Sequence, residues 1–279
     1  MKIVITGRKG FIGKHLEPLL KSQGHEIAEI GMELNHIHHQ VLEVDAVVHL
    51  ASITVVADFL TNPSEAYDTN VGGVNHILDF CRRNSVRLVY ISTSGVYDPL
   101  SRAVKETDRV APANSYSASK HMGELLCASY HRDFGVSVII LRLFNVYGPR
   151  QREEFVISYI FNCLYGGGPL NIKAPRALRD FVYVNDVCMA ILKALKRESE
   201  ELEVFNVGSG KTVSIAELAE KIYRLGGKRM PAEVETGRGE DFPWLCANLD
   251  SVKTHLEWEP KVSLDDGLMM INMEYTGVQ

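Results

Sequence analysis

Within "NSYSASKHMGE", Tyr116 and Lys120 stand four residues apart, so on a helix both side chains project from one face. A phenol beside an ammonium can exchange protons. Its ordinary pKa of about 10 makes a phenol a poor acid–base group near neutrality, and an adjacent positive charge favours the phenolate and lowers that value. Upstream, "VYISTSGVY" places Thr93 at the end of an apolar run, where its hydroxyl could bond the same substrate oxygen and hold it in line. A lone Y-x-x-x-K also occurs as an ordinary surface pair on helices, so its weight depends on its surroundings.

The strongest neighbouring signal is "ITGRKGFIG" at residues 5–13. Gly7, Gly10 and Gly13 follow the β-run "KIVIT" and open a helix whose first turn holds Phe11 and Ile12. Glycine permits a tight turn and close backbone approach, while the helix N-terminus offers N–H donors and the positive end of its dipole to a pyrophosphate. A dinucleotide site is therefore expected. The acid that would bond a ribose 2′-hydroxyl belongs at the end of the second strand, but Gly31 occupies that position, with Glu29 and Glu33 to either side of it. Without that carboxylate, Arg8 and Lys9 read as partners for a 2′-phosphate, which favours NADP over NAD.

These residues need elements to position them. Short β-rich runs, apolar on both faces, alternate with helical patterns from "KIVIT" to "VSVIILRLFN". The predicted fold class is α/β, a doubly wound parallel sheet of the Rossmann type. Helices are expected from Phe11 to Gln23, with Pro18 kinking the helix or delaying its start, and through "EAYDTNVGGVNHILDFCRRN". The Gly/Pro-rich connections "YGGGPLNIKAPRALRD" and "GGKRMPAEVETGRGEDFPW" mark a smaller C-terminal region. The expected division gives residues 1–165 with 181–208 to dinucleotide binding and 166–180 with 209–279 to substrate binding.

Composition narrows the function classes. A chain of 279 residues, 46% hydrophobic, can fill a sizeable core, and a net charge of −5 with scattered bases offers neither a nucleic-acid face nor a polybasic membrane segment. The longest apolar stretch is interrupted by His49, Ser52, Thr54 and Asp58, so a soluble, cytoplasmic protein is expected. Cys81, Cys127, Cys163, Cys188 and Cys246 are odd in number and widely spaced, which suits packing thiols better than disulfides or zinc. "NHIHHQ" (His36, His38, His39) lacks regular metal-ligand spacing, and no metal is expected. Met269, Met270 and Met273 have the helical spacing of packing residues.

The chain resembles the extended short-chain dehydrogenase/reductase family, in its sugar-nucleotide epimerase/dehydratase branch. "TGRKGFIG", "DAVVHLAS", "DTNVGGV", "ISTSGVY", "YSASK", "RLFNVYGPRQ", "RDFVYVNDV", "FNVGSG" and "WEPKVSLDDGL" are similar to its landmarks and follow in order over nearly the whole length. The resemblance implies Thr93, Tyr116 and Lys120 as the catalytic set. It implies cofactor contacts from the glycine turn, from Leu50 and Ala51 of "DAVVHLAS", and from Lys120. It further implies substrate contacts from Thr93 and Asn145, and from Arg179 and Arg238, whose guanidinium forks suit a diphosphate. A homodimer is the assembly considered.

Three departures from the family matter. Only 14 positions separate Gly31 from Asp45, too few for the family's usual additional strand and helix. Gly31 itself puts a simple NAD preference in doubt. Ser94 and Gly95 stand where the family's 4,6-dehydratases carry acids, so dehydration is disfavoured. The resulting expectation is an NAD(P)-dependent oxidoreductase of a nucleotide-linked sugar, foremost a 4-keto-6-deoxy-sugar nucleotide reductase. An NAD-dependent nucleotide-sugar 4-epimerase is the alternative, and a non-catalytic dinucleotide sensor is more remote.

Overall fold

A computed structural model describes residues 1–28, 43–98, 100–172, 174–231, 235–236 and 244–277. Gly31, with Glu29, Glu33 and the histidines of "NHIHHQ", lies outside the described residues, as does Arg238.

Six parallel strands form the main sheet: β1 (Lys2–Thr6), β2 (Glu26–Ala28), β3 (Ala46–His49), β4 (Arg87–Thr93), β5 (Val138–Leu143) and β9 (Glu203–Val207), in spatial order β2-β1-β3-β4-β5-β9. Two further small sheets complete the strands. One joins β6 (Asn145–Tyr147), β8 (Leu178–Tyr183) and β10 (Thr212–Ser214), and the other pairs β7 (Asn171–Ile172) with β11 (Glu235–Thr236). The helices are α1 (Phe11–Ser22), α2 (Val56–Thr61), α3 (Pro63–Tyr67), α4 (Gly73–Asn84), α5 (Ser115–Phe134), α6 (Val156–Gly166), α7 (Val184–Lys196), α8 (Ile215–Leu225), α9 (Asp250–His255) and α10 (Leu264–Thr276).

Both faces of the main sheet are covered, which is why its strands are apolar throughout: β3 is buried at all four positions and β5 at all six. Ile3, Ile5, Val48 and Leu141 join α1 and α7 in one core, while Val4, Val47, Leu88 and Ile140 join α4 and α5 in another. The alternation along β1 shows one strand serving two cores. A third core gathers Tyr147, Ile160, Phe161, Phe181, Leu218, Ile222 and Leu268 around the small sheet. Tyr147 of β6 and the buried face of α6 pack there, although the boundary drawn from sequence places both with the dinucleotide-binding part.

Pro18 sits within α1 without delaying it, and the helix begins at Phe11. The long helix expected through "EAYDTNVGGVNHILDFCRRN" is present, helical without a break from Pro63 to Asn84. A π turn over Asp68–Gly72 joins α3 to α4 and directs Asn70 inward, where it is 1% exposed. All five cysteines are buried free thiols. Among the described residues, no helix is long and apolar enough to cross a membrane, and no group of three or more potential metal ligands assembles. Met269, Met270 and Met273 lie on α10 with exposed side chains, rather than in the core where their spacing placed them.

Candidate active site

The strand order reverses at β1, whose two neighbours are β2 and β3. In an open parallel sheet the crevice beyond the carboxyl ends of the strands at such a reversal accepts ligands. The loops that follow β1 and β3 meet there. Gly7 adopts a positive φ of 69°, and a Cβ at that position would lie 2.7 Å from the Ala51 nitrogen. A Cβ at Gly13 would come within 2.5 Å of the Arg8 carbonyl oxygen. These approaches require glycine. The turn closes through Gly10 N–H donating to Gly7 O at 2.9 Å, and α1 begins at Phe11 with no side-chain cap and no acid in its first turn. Its first N–H groups, including those of Phe11, Ile12 and Gly13, thus remain as donors at a positive helix end. The cradle fits a dinucleotide pyrophosphate, with Leu50 and Ala51 forming its opposite lip.

The Arg8 Nε lies 3.4 Å from a carboxylate oxygen of Glu17 on α1. Lys9 is exposed.

Thr93, Tyr116 and Lys120 come together where α5 crosses the carboxyl end of β4. Asn114 caps α5 by accepting from Ser117 N–H at 2.9 Å, which fixes the start of the helix one residue before Tyr116. Thr93 ends β4, and its hydroxyl accepts from Gly95 N–H at 3.2 Å. The Tyr116 phenol lies beside the Thr93 hydroxyl. Burial pushes its pKa up to about 12, and the Thr93 contact works in the opposite direction. Lys120 is 3% exposed, and burial brings its pKa down to about 8. Its ammonium rests over the ring of Tyr90, 4.4 Å from the centroid. The lysine therefore has an aromatic partner that the Y-x-x-x-K spacing does not reveal.

Behind these residues is a buried polar network. Arg142 on β5 grips Glu124 on α5 through two bonds of 2.9 and 2.8 Å, and Ser92 donates to the same carboxylate. Arg142 also donates to the Tyr97 hydroxyl at 2.9 Å, which in turn donates to Asn206 at 2.6 Å. Asn70 bonds both the N–H and the C=O of Ile53 at 2.8 and 2.9 Å, and donates to Ser119 at 2.9 Å. It thereby ties the loop after Ala51 to the helix that carries Lys120.

Asn145 follows the main sheet into the small one. Its side chain donates to the Asp180 carbonyl at 2.9 Å, and its backbone is in register with Phe181. Arg179, two residues earlier on β8, lines a cavity of about 220 Å³ with Phe181, Lys211 and Lys261. The Asp180 side chain faces elsewhere. It accepts from the backbone N–H groups of Ser209, Gly210 and Ala247 at 2.6, 3.0 and 3.0 Å, clipping together the chain segments on either side of β8. Thr93, Tyr116 and Lys120 thus share the α5–β4 junction. Asn145 and Arg179 occupy adjacent strands of the small sheet.

Comparison with known proteins agrees with this arrangement. The NAD dependent epimerase/dehydratase family matches residues 3–208. Among curated relatives, an uncharacterized UDP-glucose epimerase, YtcB, of Bacillus subtilis is 29% identical, with 96% of each chain covered. UDP-glucuronate 4-epimerase of Thermodesulfobacterium geofontis is 32% identical over 82% of this chain and 72% of its own. UDP-glucuronic acid decarboxylase 1 of Arabidopsis thaliana is 30% identical over 96% and 68%. Among solved structures, the Bacillus cereus UDP-glucuronic acid 4-epimerase in complex with UDP-glucuronic acid and NAD superposes with a TM-score of 0.89 at 27% identity, each chain covered completely. RMD from Pseudomonas aeruginosa, complexed with NADPH, gives 0.88 at 26% identity, with 99% of each chain covered. The glycine cradle, the switch-point crevice and a family match across most of the chain lead to one conclusion: the chain belongs to the NAD-dependent epimerase/dehydratase family and is an NAD(P)-dependent enzyme.

Proposed function

We propose that this chain is an NAD-dependent 4-epimerase of a UDP-sugar. The observation that carries this reading is the placement of the Tyr116 phenol beside the Thr93 hydroxyl, with no acid next to them at Ser94 or Gly95. Inverting a hydroxyl-bearing carbon requires a proton to leave and return at one oxygen, and one positioned phenol can do both. Eliminating water needs a further proton donor, as does protonating the carbon left by loss of CO₂ from a keto acid. The site resists adding that donor at Gly95, where even a Cβ would lie 2.5 Å from Ser117 Oγ.

In this mechanism Thr93 and Tyr116 both contact the sugar C4 oxygen, Tyr116 exchanges its proton, and Lys120 supplies positive charge to the site. The glycine cradle at Gly7, Gly10 and Gly13 would hold NAD, which would supply a reversible hydride acceptor for the sugar carbon. Asn145 and Arg179 bind the sugar nucleotide beyond the reacting carbon, and Arg238 shares the diphosphate. The relatives support this epimerase reading over the 4-keto-6-deoxy-sugar reductase, since the named epimerases match 82–100% of the chain.

Incubation with NAD and either UDP-glucose or UDP-glucuronic acid is expected to interconvert C4 epimers with no net change in cofactor. Release of CO₂ from the uronic acid would instead indicate a decarboxylase. Steady NADPH oxidation with a 4-keto sugar nucleotide would indicate a reductase.

NAD is also the proposed cofactor, because the Arg8–Glu17 pair gives one of the two bases an internal partner. Replacing Arg8 and Lys9 together by glutamine is expected to change the NAD:NADP affinity ratio by less than about threefold. If these bases held a 2′-phosphate, charge-assisted bonds of roughly 1.5–3 kcal/mol would be lost and the ratio would move at least tenfold. Titrating both cofactors against the parent and the double variant separates these outcomes.

A further inference from the structure

Lys120 poses an electrostatic problem. Its ammonium is buried, and among the described residues it makes no ion pair. Glu124, one turn further along α5, supports the ammonium only through its charge at a distance, since its oxygens are bonded to Arg142, Ser92 and His121. Across the sheet, His49 carries no compensating negative charge. Burial, followed by the charge of Lys120, pushes its pKa down to about 3, so it is neutral at ordinary pH. Cys127 and Tyr116 on α5 are held protonated by burial. What lies against the ammonium is the face of Tyr90.

Tyr90 is fixed for this contact. It is completely buried on β4, and its hydroxyl donates to the backbone carbonyl of Lys120 at 3.2 Å. Its outer edge enters a notch in α5 at Gly123, where a Cβ would overlap the Tyr90 hydroxyl. The His49 ring stacks on it with centroids 6.0 Å apart and planes 17° from parallel. His49 is anchored in turn by Thr6 Oγ1 at 2.8 Å. The aromatic face can hardly tilt away from Lys120 without breaking one of these contacts.

We propose that Tyr90 is a positioning residue whose π face keeps Lys120 charged and in place for the reaction, with Gly123 providing the space. The negative face of an aromatic quadrupole attracts a cation most strongly when both are out of water. The inference rests on the functional reading above only in giving Lys120 a part in turnover. The electrostatic contact can be tested without it.

The test replaces Tyr90 in the full chain by phenylalanine, 3,5-difluorophenylalanine and 3,4,5-trifluorophenylalanine. Fluorination drains electron density from the ring face while nearly preserving its shape, so the folded core is retained. The Lys120 titration is followed by NMR of 13Cε-labelled lysine and assigned by the signal lost in Lys120→Met. The expected result is a midpoint close to the parent's in Tyr90→Phe, falling stepwise by about one pH unit across the fluorinated series. The sign follows because a weaker π face destabilises the ammonium, which then loses its proton at lower pH. The alkaline limb of UDP-glucose epimerisation with NAD should move down with the midpoint. A midpoint that stays level across the series overturns the proposal. If the parent does not turn over UDP-glucose, the functional reading fails and the NMR series alone decides the contact.

Discussion

Replacing Tyr116 by phenylalanine is expected to lower turnover in the proposed epimerisation by roughly 10²-fold or more while leaving thermal stability close to the parent's. The substitution removes one oxygen and the exchangeable proton it carries. It leaves the ring, which meets Phe59 edge-on at a centroid distance of 6.4 Å. The lost hydroxyl faces Thr93, whose own hydroxyl retains the Gly95 N–H as a partner, so no buried group is stranded and the stability cost stays at about 1 kcal/mol. An effect confined to kcat would identify proton exchange at that oxygen. Initial rates with UDP-glucose and NAD, read beside the melting temperature, provide the check, and turnover near the parent's would remove Tyr116 from the mechanism.

The parts of this site that were legible in sequence are those set by local geometry. Gly7, Gly10 and Gly13 sit in one loop between a strand and a helix, and helical spacing alone puts Tyr116 and Lys120 on one face. What surrounds them depends on contacts between distant residues. Arg142 meets Glu124 across 18 residues, Ser92 meets Glu124 across 32, and Tyr90 reaches the Lys120 carbonyl across 30. Nothing in the pattern of apolar residues shows which strand position faces which helical turn. The clearest available hint was Gly123, a helix-interior glycine whose intrinsic cost calls for a packing reason; the reason is Tyr90. Arg8 shows the converse limit. Its place in the glycine loop suggested a ligand phosphate, whereas the fold of α1 brings Glu17 within reach. Asn70 was hidden for a third reason, because a π turn rotates it inward from a segment whose sequence reads as continuous helix.

The largest stability effect is expected at Glu124. Its side chain and that of Arg142 are 5% and 7% exposed, so neither charge can turn to water when its partner is removed. Glu124→Ala would leave the Arg142 guanidinium with the Tyr97 hydroxyl and the Glu106 carbonyl as acceptors, at 2.9 and 3.1 Å, and no carboxylate bonded to it, the Glu106 carboxylate acting only from a distance. Uncompensated buried charges of this kind cost about 3–5 kcal/mol, which for a chain of this size corresponds to a melting temperature lowered by on the order of 10 °C. Replacing the pair together, Glu124→Leu with Arg142→Met, should recover most of that loss, because hydrophobic packing can substitute for a desolvated ion pair. Acid provides an independent reading. Burial acts to raise the Glu124 pKa, but the bonds and charge of Arg142, with Ser92 and His121, hold it below its ordinary 4.5. A carboxyl with a depressed folded pKa contributes stability that is complete above its unfolded value and is lost as pH falls through the folded one. The double variant should therefore lose less stability than the parent on acidification below pH 4.5. Thermal melts of the parent, single and double variants over that range decide the matter: equal losses for single and double would show that removing the stranded guanidinium and refilling the space do not recover the stability, and would overturn the prediction. The recovered double variant would still turn over more slowly, since Ser92 adjoins Thr93 on β4 and Glu124 lies two helical turns beyond Tyr116 on α5, making their bond a direct tie between the two elements that bring hydroxyl and phenol together.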